Sequence, residues 1–157
     1  MNKMTDWSIN YGEANPAAIL AGSLAQADRE YLSGLLEWRS AQADECLWRE
    51  GDVDDRLVMV ASGRVRLLKS AGASGFQVVI GLFGTGTLVP DLAFAQSGRR
   101  ETSAWAAEDV QLIFLSGKNL ETILAERPQL GSRILKQALL SVAGQLRHTY
   151  RRLNAFL

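Results

Sequence analysis

Between Gly84 and Ala106 the chain reads GTGTLVPDLAFAQSGRRETSAWA. Glycine-punctuated β-type residues give way there to a short apolar run, a turn and the paired arginines Arg99 and Arg100. Arginine presents a fixed fork of donors that suits carboxylates and phosphates, so the chemistry on offer is the holding of a ligand rather than bond making. Reactive groups elsewhere are sparse. The single histidine, His148, lies on the last predicted helix and reads as an exposed or interfacial side chain, with haem or metal ligation the remote alternative. No base and nucleophile pair can be named around it. Cys46 has no evident activating partner and reads as a strand or core residue. One cysteine forbids an intrachain disulfide and any four-cysteine zinc or iron–sulfur site within the chain. Gly84-Thr85-Gly86 is followed by strand-like residues, without the helix start that a dinucleotide fingerprint requires, and no glycine-rich phosphate loop with its lysine is present. These residues predict no enzyme, no metal and no certain cofactor; a small effector is the ligand class left open.

The elements that must position this stretch fit one domain, since 157 residues of which 47% are hydrophobic suffice for a core without staples. Seventeen basic and seventeen acidic residues cancel, so no global field recruits nucleic acid or an anionic membrane, although Arg147, Arg151 and Arg152 gather late. No apolar run approaches the roughly 18–20 residues of a bilayer span. The start, MNKMTDWSINYGEANP, lacks the basic and apolar regions of a signal peptide. A soluble, cytoplasmic protein with a reduced cysteine is expected.

Residues 1–18 read as an arm, polar with isolated aromatics. From Ile19 the apolar positions Leu24, Tyr31, Leu32, Leu35, Leu36 and Trp38 recur at helical spacing. Ser23 and Gln26 have the spacing of a capping box, and a start near Asp28 is an equal option. After Ala43 seven short β-type runs follow: Cys46–Arg49, Leu57–Ala61, Arg64–Lys69, Phe76–Phe83, Leu88–Phe94, Thr102–Ala106 and Val110–Leu115. Their spacing predicts an all-β sandwich or barrel rather than βαβ units. Ser62-Gly63 suits a tight hairpin turn, and Ser70 to Gly75 an exposed loop.

Ser116 is a predicted N-cap for a helix carrying Leu120, Ile123 and Leu124, which stops before Pro128. A second helix then covers about 129–156. Its apolar series Leu135, Leu139, Val142, Leu146, Thr149, Leu153 and Phe156 alternates steps of four and three, a heptad seam. That seam packs either on its own barrel or on the same helix of a second copy. A helix of roughly 27 residues is about 40 Å long, while a domain of this size has a radius of gyration of about 15 Å. Overhang and therefore a homodimer are expected, with Thr149 setting register.

The succession Arg49-Glu50-Gly51-Asp52, Leu57 to Leu67, Gly75, Gly84-Thr85-Gly86, Asp91-Leu92-Ala93, Arg100, then Pro128 and a long helix resembles the cyclic nucleotide-binding domain. More narrowly it resembles the effector domain of the cyclic-AMP receptor protein and fumarate–nitrate regulator (Crp/Fnr) family. The resemblance covers about Leu20 to Leu157. It implies a mainly β fold, a double-stranded β-helix or jelly-roll of about 44–115, with flanking helices and a long C-terminal dimerisation helix, spanning 19–157. It also implies bacterial-type transcriptional regulation by a ligand-sensing dimer, and no DNA-binding domain or nucleic-acid contact within these residues.

In that family a cassette of Gly-Glu-Leu-Ala and then Arg-Ser/Thr-Ala holds the ribose hydroxyl and the cyclic phosphate. Here its positions carry Pro90, Asp91, Leu92, Ala93, Arg100 and Glu101, so the arginine is kept while the glycine, glutamate and hydroxyl are replaced. Proline removes an N–H and fixes φ, and Asp91 is a methylene short. Glu101 is expected to set a carboxylate beside the anion, where two unit charges about 4 Å apart repel by about 4 kcal/mol at an effective dielectric near 20. Arg99 offsets part of this, and Arg100 is expected to pair with Asp91 or Glu101. Gln145 and Leu146 fall at the positions that reach the base. The resulting expectation is an effector domain that does not bind cyclic AMP in the usual way. An ordinary cyclic nucleotide binder and a ligand-free dimerisation module are the alternatives.

Overall fold

A computed structural model describes residues 24–95 and 98–155. The predicted arm of residues 1–18, the proposed Ser23 cap and Phe156 lie outside them. A helix α1 (Gln26–Ser33) precedes seven strands, β1 (Leu36–Ala41), β2 (Cys46–Trp48), β3 (Leu57–Ser62), β4 (Arg64–Ala71), β5 (Phe76–Gly84), β6 (Ser103–Ala106) and β7 (Val110–Leu115). A 3-10 turn at Ala93–Ala95 lies between β5 and β6, and helices α2 (Gly117–Glu126) and α3 (Pro128–Asn154) follow β7. Among the described residues no helix is long and apolar enough to cross a membrane.

The strands form two antiparallel sheets, ordered β1-β7-β3 and β2-β6-β4-β5. Their facing sides supply one core, with Val58, Val60, Leu112 and Phe114 from the first sheet and Val65, Leu67, Phe83, Ala104 and Ala106 from the second. The alternation of buried residues along β3 and β7 is blurred because the other face of their sheet is also covered. A second core there joins Leu57, Leu88 and Leu115 to Leu32, Leu120, Ile123, Leu130, Ile134 and Ala138. This is the predicted β-roll with flanking helices.

Two expected elements change. The helical stripe does not continue through Leu35, Leu36 and Trp38: α1 ends at Ser33, and Leu36–Ala41 pairs along the whole of β7, from Leu36 opposite Leu115 to Ala41 opposite Val110. Six ladder positions outweigh the weak local preference for helix, and Trp38 is left 61% exposed on the outer face. The run Leu88–Phe94 is not a strand. Val89 donates to the Val58 carbonyl at 2.8 Å, Met59 and Leu88 form a single bridge, and Pro90 has no N–H with which to extend the ladder. The chain leaves as the 3-10 turn at Ala93.

Other local readings are met in the structure. Gly63 turns the β3–β4 hairpin at φ +82°, and a Cβ there would stand 2.3 Å from the Asp109 carbonyl oxygen. Ser116 caps α2 by accepting from the Asn119 N–H at 3.1 Å, and Pro128 sits in the first turn of α3, where its missing N–H costs nothing.

Helix α3 buries Leu130, Gly131, Ile134, Ala138 and Ser141 on the second core. It does not overhang as its length suggested. Gln145 donates to the Ile80 carbonyl at 3.1 Å and Arg152 to that of Val79 at 3.2 Å, so α3 follows β5, the edge strand of its sheet, through its last turns. The neighbouring stripe is uncovered: Leu135, Leu139, Leu146, Thr149 and Leu153 are exposed and Val142 is half-buried.

Candidate ligand site

The residues around Arg100 are brought together by a short pairing of two turns. Gly51 and Gly98 both have positive φ, a conformation glycine adopts without a Cβ penalty. Between them the Arg100 N–H donates to the Asp52 carbonyl at 2.9 Å, the Gly51 N–H to that of Arg100 at 2.8 Å and the Asp54 N–H to that of Gly98 at 2.9 Å. This pairing sets the side chain of Asp54 beside that of Arg100.

Arg100 is wholly enclosed, with no accessible side-chain surface. Its Nη2 and Nε donate to Asp54 Oδ2 at 2.8 and 3.2 Å, its Nη1 donates to the Asp91 carbonyl at 3.3 Å, and its guanidinium lies 4.4 Å from the ring centre of Trp48. The cation is therefore matched on its edges by oxygen and on one face by an aromatic π-system. Its expected carboxylate partners are not the ones found: it touches Asp91 only through the backbone and makes no ion pair with Glu101.

Asp91 is also enclosed, and its carboxylate looks the other way. It accepts from the backbone N–H groups of Thr102 at 3.0 Å and Glu101 at 3.3 Å, and from the Thr102 hydroxyl. Three donors occupy it, a satisfied buried carboxylate. Glu101 points outward, 55% exposed, with Lys69 Nζ 3.9 Å from its carboxylate; the expected clash with an anion at Arg100 does not arise from this rotamer. Lys69 is held mainly by Glu50, at 2.6 Å. Arg99 is exposed and donates to the Gly51 carbonyl at 3.1 Å. Ala93 is buried, Leu92 packs half-buried on the second core, and Gln145 sits at the β5 edge with its Oε1 buried and without a hydrogen-bond partner among the described residues.

The residues that sequence reasoning missed are Asp54, Trp48 and Thr102. Asp54 is the most consequential. Its carboxylate is shared by two cations, because Arg56 Nε donates to Oδ1 at 2.8 Å while Arg100 holds Oδ2. Arg56 reaches on to Glu37 at 3.2 Å. Burial pushes the Asp54 carboxyl up, but the hydrogen bonds from Arg56 and Arg100 outweigh it and hold the group below the usual carboxylate range. Nothing local distinguishes Asp54 from Asp52 and Asp55, since all three sit in one polar turn. Only its position opposite Gly98 separates it.

Two voids bear on ligand access. An apolar cavity of about 30 Å³ lies between the β1-β7-β3 sheet and α3, away from Arg100, lined by Leu57, Met59, Ile113 and Ile134 among others. An open cleft of about 830 Å³ is bordered by Trp48, Asp52, Asp54, Arg56, Gly98 and Ser116. Asp54 thus stands between this cleft and the enclosed Arg100. Among the described residues no group of three or more His, Cys, Asp or Glu is placed to hold a metal ion.

A domain of two facing antiparallel sheets, an arginine-centred loop and a long closing helix defines a class, and residues 38–127 match the cyclic nucleotide-binding domain family. The chain belongs to that family. A solved cyclic nucleotide-binding domain from Methylobacillus flagellatus superposes with a TM-score of 0.78 at 23% identity, over 92% of this chain and 83% of that one. The catabolite activator protein of Thermus thermophilus superposes with a TM-score of 0.68 at 28% identity, over 88% of this chain and 62% of that one. The human patatin-like phospholipase domain-containing protein 6 is 26% identical over 138 residues, 85% of this chain. This chain spans only about a tenth of that relative's length.

Proposed function

We propose that this chain is an effector-sensing regulatory domain of the kind found in cyclic-AMP receptor proteins, that it has no catalytic activity of its own, and that it does not hold cyclic AMP in the ordinary way. The observation that carries this reading is the commitment of the surviving cassette arginine and of the aspartate that stands in the glutamate position. Arg100 spends its donors on Asp54 and the Asp91 carbonyl, and Asp91 spends its oxygens on Thr102 and the Glu101 N–H. A cyclic phosphate would have to displace an internal carboxylate, and a ribose hydroxyl an internal threonine. Calorimetry with cyclic AMP and cyclic GMP tests it, with no micromolar binding expected; micromolar binding of either overturns it.

The domain works as a homodimer in this reading. Leu139 is 68% and Leu146 48% exposed on a helix that already has its own buried face, and such a second apolar stripe suits the same stripe of another copy across a two-fold axis. The filled interior between the sheets, where Phe83, Val60 and Leu112 meet, favours a second reading, a dimerisation module that takes no ligand.

A further inference from the structure

We propose that Asp54 is the specificity-determining residue of this site: its carboxylate occupies the anion position of Arg100, and its removal opens that position to a small phosphate-bearing ligand entering from the adjoining cleft. The inference rests on the reading of the domain as an effector domain that ordinary cyclic nucleotides do not occupy. Arg100 is fully enclosed, yet the residue that pairs with it is not: Asp54 keeps 13% of its side chain accessible and borders the cleft. An anion approaching from solvent therefore meets Asp54 before it meets the arginine.

The surroundings of that carboxylate are those of an anion site. Arg100 offers Oδ2 two donors, Nε and Nη2, in the forked geometry that also grips phosphate. Arg56 adds its Nε and its backbone N–H to Oδ1 at 2.8 and 3.1 Å and its Nη2 to Oδ2 at 3.2 Å. Two guanidiniums converge on one carboxylate, so the three groups Arg56, Arg100 and Asp54 by themselves carry one positive charge in excess; Glu37, 64% exposed, pairs with Arg56 from outside, and Asp52 and Asp55 also border the cleft. The Nε1 of Trp48, the residue beneath the Arg100 guanidinium and on the cleft wall, is buried with no hydrogen-bond partner among the described residues. A phosphate brings more acceptor oxygens than a carboxylate, and five donors from Arg56 and Arg100 already converge on this one carboxylate.

A purely structural ion pair predicts only loss of stability when broken. A blocked anion site predicts gain of binding. The test uses the whole chain as wild type, Asp54→Asn, and Asp54→Asn combined with Arg100→Gln, each titrated calorimetrically with cyclic AMP, cyclic GMP and inorganic phosphate. Asparagine keeps the shape and one acceptor while removing the charge. The expected result is that Asp54→Asn binds at least one of the three about tenfold to a hundredfold more tightly than wild type, the range that charge-assisted hydrogen bonds supply, and that the gain vanishes in the double variant. No gain with any probe, or a gain that survives Arg100→Gln, overturns the proposal.

Should Asp54→Asn unfold, thermal denaturation in graded phosphate or cyclic AMP decides instead. Rescue by the anion supports the site, and rescue by Arg100→Gln alone overturns it. Micromolar binding by wild type defeats the underlying functional reading, whereas the ratio of Asp54→Asn to wild type bears on Asp54 by itself, so the two failures are distinguishable.

Discussion

Truncating the two partners of the Arg100–Asp54 pair should have unequal costs. Asp54→Ala removes the one carboxylate, among the described residues, that pairs with an arginine having no accessible side-chain surface. The cation left behind keeps the Asp91 carbonyl and the Trp48 ring, neither of which carries a charge. Breaking a buried pair from one side costs about 3–5 kcal/mol, roughly a fifth or more of a total stability that is typically about 5–15 kcal/mol for a domain. Arg100→Met leaves Asp54 with three donors from Arg56 and with partial access to solvent. The cost there is the loss of charged hydrogen bonds, about 1.5–3 kcal/mol. The double variant Asp54→Ala/Arg100→Met should be more stable than the sum of the single losses, with a coupling of about 1–3 kcal/mol. Urea denaturation followed by circular dichroism and tryptophan emission measures all three. If Arg100→Met costs as much as Asp54→Ala, or if the losses simply add, the picture of a buried cation dependent on one internal anion is wrong.

Three further outcomes follow from the same geometry. The folded-state carboxyl of Asp54 lies below its unfolded value, so it contributes stability that is present above the unfolded pKa near 3.9 and is lost as pH falls through the folded one; acid titration of unfolding should show wild type losing stability below about pH 4 more steeply than Asp54→Asn. Leu139→Arg alters a residue that is 68% exposed, so sedimentation should report a monomer while the unfolding free energy of the chain at low concentration stays within about 0.5 kcal/mol of wild type; an unchanged sedimentation coefficient removes the dimer argument. Gly63→Ala places a Cβ 2.3 Å from the Asp109 carbonyl at φ +82° and should cost more than about 2 kcal/mol, whereas Gly72→Ala, at φ +68° with nothing within 4 Å, should cost only about 1 kcal/mol. Equal losses at the two glycines in urea denaturation refute the steric part of that reasoning.

Much of the architecture is legible residue by residue. Val110–Leu115 is a strand with the predicted bounds, because a β-type run that is apolar at every position but Gln111 suits the middle strand of a sheet covered on both faces. Gly63 and Ser116 announce a hairpin and a helix start through local chemistry alone, positive φ in one and a hydroxyl cap in the other. Where pairing partners compete with local pattern, the reading fails. Leu36–Ala41 looks helical until β7 offers it six partners, and Leu88–Phe94 looks extended until Pro90 withholds a donor.

The candidate site divides along the same line. Sequence alone determined that the chain carries a domain of this family's kind, that Arg100 stands at the arginine position of the family's cassette pattern, and that the last helix bears an apolar heptad stripe, because each of these is a matter of residue type and spacing along the chain. Which anion Arg100 holds was decided by tertiary structure. Asp54 and Arg100 are 46 positions apart and meet only because Gly51 and Gly98 let two turns pair backbone to backbone. Asp91 and Glu101, the nearer carboxylates in the pattern, are turned elsewhere by Thr102 and by solvent and Lys69. Electrostatic partners are chosen by distance in space and by competing donors, and neither is written in the order of the residues.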